Sequence, residues 1–110
     1  MNEYNLGGLE LTVMLALVRL GEDAYGVPIS REIERHTNRE VALGSVYAAL
    51  ERLQRKGLVS SRLGEPTAAR GGRAKRYFRA TVQGLRETRE MRQALMNLWR
   101  GVRELQGEPA

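Results

Sequence analysis

The chain predicts a mainly α fold with a small β-hairpin, and three features of its pattern predict it. Apolar residues recur at helical spacing in three successive short segments between residues 6 and 56. The period then becomes that of two short strands around a Gly-rich, basic connection, and helical spacing resumes from residue 81 almost to the end. At 110 residues, 42% hydrophobic and 28% charged, the chain is ample for one ordinary domain and too short for two.

The first helix, roughly Leu6 to Leu20, carries Leu9, Val13, Ala16, Leu17 and Leu20 at helical spacing. Leu11, Met14, Leu15 and Val18 fill much of its remaining surface, so it is expected to be buried on most sides. Gly21-Glu22-Asp23 ends it. Pro28 suits a first helical position and opens a second helix that runs to about His36. That helix buries Ile29 and Ile33 beneath a charged face of Arg31, Glu32, Glu34 and Arg35, and Tyr25 and Val27 pack where it begins. Thr37-Asn38-Arg39 is turn-like. A third helix, from about Gly44 to Lys56, has Val46, Leu50 and Leu53 on one face before Gly57 supplies the stop.

Two strands follow, Leu58 to Leu63 and Lys75 to Ala80, joined by Gly64 to Arg73, a long, basic tip. Thr81 is a good N-cap for a final helix expected to reach about Gln106, where Gly107 and Pro109 end it. At 1.5 Å per residue that helix would be about 39 Å long, too long to pack wholly on so small a domain. Met91, Leu95, Leu98, Val102 and Leu105 recur at spacings of four, three, four and three, the heptad seam of a helix that pairs with another. Trp99 lies beside this seam, where it either stacks on a flat ligand across a dimer interface or fills that interface. Gly101, inside the predicted helix, costs about 1 kcal/mol relative to Ala and is read as allowing close approach or a bend.

Eighteen Lys and Arg against thirteen Asp and Glu give a net charge of +5, which makes a polyanion the first partner to consider. There is no cysteine, so disulfide frameworks, Cys-based zinc sites and thiol nucleophiles are excluded. With a single histidine, His36, read as a cap or surface residue, and no nucleophile–base or paired-carboxylate constellation, no catalytic residue, metal or cofactor is assigned and an enzyme is not expected. The amino terminus lacks a basic start, and the apolar run from Leu9 to Leu20 is interrupted by Glu10, Thr12 and Arg19. A soluble, cytoplasmic protein without membrane contact is the expectation.

Three helices followed by a hairpin is the winged helix-turn-helix order, in which the third helix enters the DNA major groove and the hairpin touches flanking backbone. The boundaries are then residues 1–80 for this unit and 81–110 for a long C-terminal dimerisation helix packed as part of it. Between Pro66 and Arg86 there are six basic residues, Arg70, Arg73, Lys75, Arg76, Arg79 and Arg86, and no acidic one. Gly71 and Gly72 allow the tip to approach phosphates closely. On the third helix, placing the apolar face inward turns Ala48, Arg52 and Arg55 outward, with Ser45 and Tyr47 flanking them. Ser45 and Tyr47 are donors for phosphates or bases, Ala48 lets the helix sit deep, and Arg52 is the expected bidentate contact to guanine or phosphate. Tyr47 has a second reading as a half-buried packing residue.

In order along the chain, Ala24-Tyr25-Gly26-Val27, the run from Gly44 to Leu53, Lys56-Gly57-Leu58-Val59, Gly71-Gly72-Arg73-Ala74-Lys75-Arg76-Tyr77-Phe78 and Thr81-Val82-Gln83-Gly84 together resemble the PadR-like transcriptional regulators of bacteria. The resemblance covers about Leu6 to Leu105 and is similar to the short subgroup with one terminal helix. It implies a homodimer, held by that helix with help from the first, that binds a pseudo-palindromic operator in double-stranded DNA and usually represses. By position, the family's groove-contacting residues fall on Ser45 and Tyr47, and its wing motif on Gly71, Gly72, Arg73, Lys75 and Arg76. The chain departs from the family in having Ala42 where a Ser usually caps the recognition helix, and Ala48 where a Pro often follows the Tyr. A small aromatic effector at Trp99 is also implied by short members that bind such ligands with a tryptophan in a similar region. The competing reading is a winged helix used as a protein–protein module without specific DNA binding.

Overall fold

A computed structural model describes residues 6–65 and 74–106. Four α-helices and a two-stranded antiparallel hairpin follow one another in the order α1 (Gly8–Leu20), α2 (Gly26–Thr37), α3 (Leu43–Arg55), β1 (Val59–Leu63), β2 (Arg76–Ala80) and α4 (Val82–Trp99), with 3-10 turns at Gly21–Asp23 and Arg103–Leu105. This is a winged helix-turn-helix arrangement.

The core forms where the apolar stripes of the first three helices converge. Val13, Met14 and Leu17 from α1, Ile29 and Ile33 from α2, and Val46, Ala49, Leu50 and Leu53 from α3 are buried together with Leu58, Val59 and Phe78 of the hairpin. Local chemistry sets the boundaries. Asn38 closes α2 in the left-handed region at φ 60°, which its short polar side chain tolerates. Gly57 turns the chain out of α3 at φ 78°. Thr81 caps α4, its Oγ accepting from the Gly84 N–H at 3.0 Å. The hairpin pairs Val59 with Ala80 and Leu63 with Arg76, a register that turns Phe78 into the core and Tyr77 to the other face. Its base is stitched to the helices by the Phe78 N–H, which donates to the Ala24 carbonyl at 2.8 Å.

Four expectations are corrected. Helix α1 is not buried on most sides: Leu15 is 49% and Val18 43% exposed. Helix α2 begins two residues before Pro28, which is tolerated within the first turn because its missing N–H has no partner to lose there. Glu32, assigned to the charged outer face, is buried. The last helix ends at Trp99 instead of near Gln106, so it spans about 27 Å. The residues beyond Met91 have little core to pack on, and the chain leaves the helix at Arg100, whose ψ is 133°, with Gly101 at φ 83° completing the turn. Val102 and Leu105 therefore leave the helical seam, Leu105 within a 3-10 turn.

Candidate nucleic-acid interface

Helix α3 buries Val46, Ala49, Leu50 and Leu53, which leaves Gly44, Ser45, Ala48, Glu51 and Arg55 exposed on the opposite side. These side chains are small except for Glu51 and Arg55, an i,i+4 pair 3.9 Å apart. No side chain caps the amino end at Ala42, so the first N–H groups of α3 lack a side-chain partner there.

Tyr47 is 40% exposed, and the place of its ring explains a glycine. A Cβ on Gly26 would lie 2.4 Å from both Cζ and Oη of Tyr47, so the ring crosses the first turn of α2 where only glycine fits. The neighbouring residue receives the hairpin. The Lys75 ammonium sits 4.5 Å from the centre of the Tyr25 ring and donates to its hydroxyl at 3.2 Å. Tyr25 meets Tyr77 edge-on at 5.4 Å, and Arg62 lies 4.6 Å from the Tyr77 ring centre. Two adjacent residues thus fix both parts of the candidate interface, Tyr25 holding the start of β2 and Gly26 the exposed face of α3. Arg76 donates to Ser61 Oγ across the strands at 3.3 Å, and Arg79 is exposed. Arg70, Gly71, Gly72 and Arg73 lie outside the described residues.

Arg52 does not point freely outward as expected. Its Nε donates to Glu10 Oε2 at 2.7 Å, and Lys56 donates to Glu10 Oε1 at 2.6 Å, beside the Gly7 N–H at 3.1 Å. Burial alone would push the Glu10 carboxyl up, but the hydrogen bonds from Lys56, Arg52 and Gly7 outweigh it and hold it at about 2. A second buried carboxylate, Glu32, accepts from Arg19 Nε and Arg35 Nη1, each at 2.8 Å, and lies 3.0 Å from His36 Nε2. The Arg19 hydrogen bond holds it below the usual carboxylate range. His36 is therefore half of a side-chain pair within α2. Sequence reasoning missed both hubs, although Glu10 shares the stripe of Val13, Met14 and Leu17, and a carboxylate on a buried stripe signals cationic partners elsewhere.

A second surface is apolar. Met91 packs against the core, whereas Leu95 (46%), Leu98 (73%) and Trp99 (55%) are exposed. Leu15 and Val18 of α1 and Leu85 of α4 are exposed as well, and an open groove of about 400 Å³ beside Val18 and Leu85 is floored by Leu17, Phe78 and Ala80. Among the described residues no helix is long and apolar enough to cross a membrane, and no cluster of three or more acidic, His or Cys side chains suits a metal ion.

Comparison with known proteins agrees with this architecture. Residues 14–90 match the transcriptional regulator PadR-like family. A transcriptional regulator of Mycobacterium tuberculosis is 36% identical over 80 residues, which cover 73% of this chain and 70% of that protein. Among solved structures, a PadR-like transcriptional regulator from Bacillus cereus superposes with a TM-score of 0.71 at 28% identity, covering 91% of this chain and 93% of the other. A PadR family regulator from Eggerthella lenta gives 0.70 at 30% identity, covering 92% and 89%.

Proposed function

The chain belongs to the PadR-like family of transcriptional regulators, and from that premise we propose that it is a homodimeric, sequence-specific DNA-binding repressor. The observation that carries this reading is the exposed face of α3. Its small residues Gly44, Ser45 and Ala48 admit close approach to base edges, Tyr47 and Arg55 supply hydrogen-bond donors, and the basic start of β2 lies on the same framework through Tyr25 and Gly26. In this reading α3 enters the major groove, while Lys75 and Arg76, with Arg70, Gly71, Gly72 and Arg73 of the connecting tip, contact phosphates that fix the register. Residues 1–80 are the reading unit and 81–110 the pairing segment.

Two copies pair through Leu95, Leu98 and Trp99 of α4, with help from Met91 and from the exposed Leu15 and Val18 of α1. Pairing sets the two α3 helices about 34 Å apart, one turn of DNA, so the operator is pseudo-palindromic. A flat aromatic effector seated on Trp99 would regulate binding only by favouring one spacing of the two readers over another. The protein acts in the cytoplasm.

The test is a fluorescence-anisotropy titration of a duplex from the protein's own upstream region against a scrambled duplex at two salt concentrations. The expected result is a preference of about a thousandfold or more with steep salt dependence. Equal, weak binding to both duplexes refutes a specific operator there and returns the protein–protein module to the fore.

A further inference from the structure

We propose that Glu10 is a specificity-determining residue: its buried carboxylate withholds Arg52 from the phosphate backbone, so sequence-independent attraction stays low and the exposed face of α3 decides where the protein binds. The proposal rests on the DNA-binding reading above. It begins from a juxtaposition between two elements distant in sequence. Glu10 comes from the first turns of α1, yet its side chain, 6% exposed, reaches the flank of α3 and meets Arg52, 42 residues away.

Arg52 follows Ser45 and Ala48 along one stripe of α3, at intervals of seven and four residues. A cation on that flank of a groove-bound helix is within reach of the DNA backbone, and each phosphate it neutralised would raise affinity for every sequence alike. The pairing with Glu10 opposes this. Nε, the nitrogen that fixes the plane of the guanidinium fork, is spent on Oε2, while Oε1 takes Lys56 and the Gly7 N–H. Stripping a buried carboxylate of a charged partner is more unfavourable than an exposed phosphate contact is favourable, so the pair persists on DNA. Arg55, by contrast, faces the exposed Glu51 at 3.9 Å and is held loosely. The two arginines of α3 therefore differ: Arg52, its side chain 41% exposed, is tied through Nε to a buried carboxylate, whereas Arg55, 69% exposed, is available.

The experiment is a set of anisotropy titrations of wild type, R52Q, E10Q and the double variant E10Q/R52Q on the upstream and scrambled duplexes, over a fourfold range of salt. R52Q is expected to keep the wild-type salt slope. E10Q is expected to steepen it by about one, so the fourfold rise in salt weakens E10Q about threefold more than wild type. The preference of E10Q for the upstream duplex falls, and R52Q in the E10Q background restores about one unit of slope relative to E10Q, whatever Lys56, the other cation on Glu10, contributes. A general loss of packing would not produce that restoration. A slope about one unit shallower for R52Q alone would place Arg52 on a phosphate and overturn the proposal, as would an unchanged slope for E10Q. If thermal melting finds E10Q unfolded, the comparison of R52Q with wild type decides by itself. Failure of wild type to bind either duplex at low salt would instead refute the DNA-binding reading, and that outcome is seen before any variant is made.

Discussion

Replacing Gly84 by Ala sets two effects of opposite sign against each other. Gly84 is the third residue of α4, where Ala is favoured over Gly by about 1 kcal/mol on helix propensity alone. The structure predicts the reverse outcome. A Cβ at this position would lie 2.0 Å from the Leu58 carbonyl oxygen and 3.0 Å from both the Leu58 carbonyl carbon and Met14 Cε. The oxygen has little room to retreat: it accepts the Thr81 N–H at 3.0 Å, the Leu58 N–H is held by Leu53 O at 2.9 Å, and Thr81 Oγ donates to Gly57 O at 2.8 Å. Relief requires α4 to lift off the hairpin base by about 1 Å, an overpacking cost of about 2 kcal/mol. Loosening the Thr81–Leu58 hydrogen bond adds about 1 kcal/mol. Net destabilisation is about 2 kcal/mol after the propensity gain, or about 8 °C in Tm for a domain of this size. Circular-dichroism melts and urea titrations at one fixed protein concentration measure it, with G44A as the control. Gly44 has nothing within 4 Å of a built Cβ, so G44A should gain up to about 1 kcal/mol. A G84A protein that melts at or above wild type refutes the reasoning.

Two further outcomes follow from the ion pairs and the apolar face. Glu10 is held at about 2 in the folded chain against an ordinary 4.5, so its contribution is complete above pH 4.5 and fades as pH falls toward 2. Glu32, also lowered, adds in the same direction. Because Arg52 and Lys56 are more than a third exposed, the Glu10 contribution is about 2 kcal/mol after allowing for solvent screening. The urea midpoint of wild type should drop between pH 5 and 3 by more than that of E10Q, and parallel curves would contradict the assignment. For the apolar face, L98E should halve the mass measured by sedimentation equilibrium at micromolar concentration without lowering helix content, because Leu98 is 73% exposed in the single chain. A wild-type protein that sediments as a monomer at that concentration removes the pairing proposal.

What could be read from the sequence was what depends on neighbours along the chain. The stripe of Val46, Leu50 and Leu53, the stop at Gly57, the turn at Thr37-Asn38-Arg39, the cap at Thr81 and the two strands each follow from a few consecutive residues, and their boundaries moved by no more than two residues. The far end of α4 was misread because Val102 and Leu105 continue the heptad spacing, while the turn at Arg100 and Gly101 before them ends the helix. At the candidate interface, Ser45, Tyr47, Ala48 and Arg55 are exposed, and Lys75 and Arg76 stand at the start of β2. The engagement of Arg52 was not legible, since its partner arrives from another helix 42 residues earlier. The same holds for Gly26 and Gly84, whose need for glycine comes from a ring and a carbonyl that only tertiary packing brings near.

The hairpin's attachment to Ala24 and Tyr25 also dictates an order of events in folding. Lys75 and Tyr25 are 50 residues apart, so that contact and the Phe78–Ala24 hydrogen bond close a long loop. Helix α2, by contrast, joins α1 through Arg19–Glu32, 13 residues apart, and the approach to α3 through Ser30–Val41, 11 apart, and so brings α1 and α3 together although Glu10 and Arg52 are 42 apart. Loop-closure entropy favours assembly of the three helices first, with the hairpin docking onto an existing surface afterwards. The contacts of Lys75 and Tyr77 with Tyr25 are then expected to form after the folding transition state. Weakening them accelerates unfolding and leaves the folding rate nearly untouched, which makes the hairpin's grip on Tyr25 a determinant of the lifetime of the native fold more than of its formation.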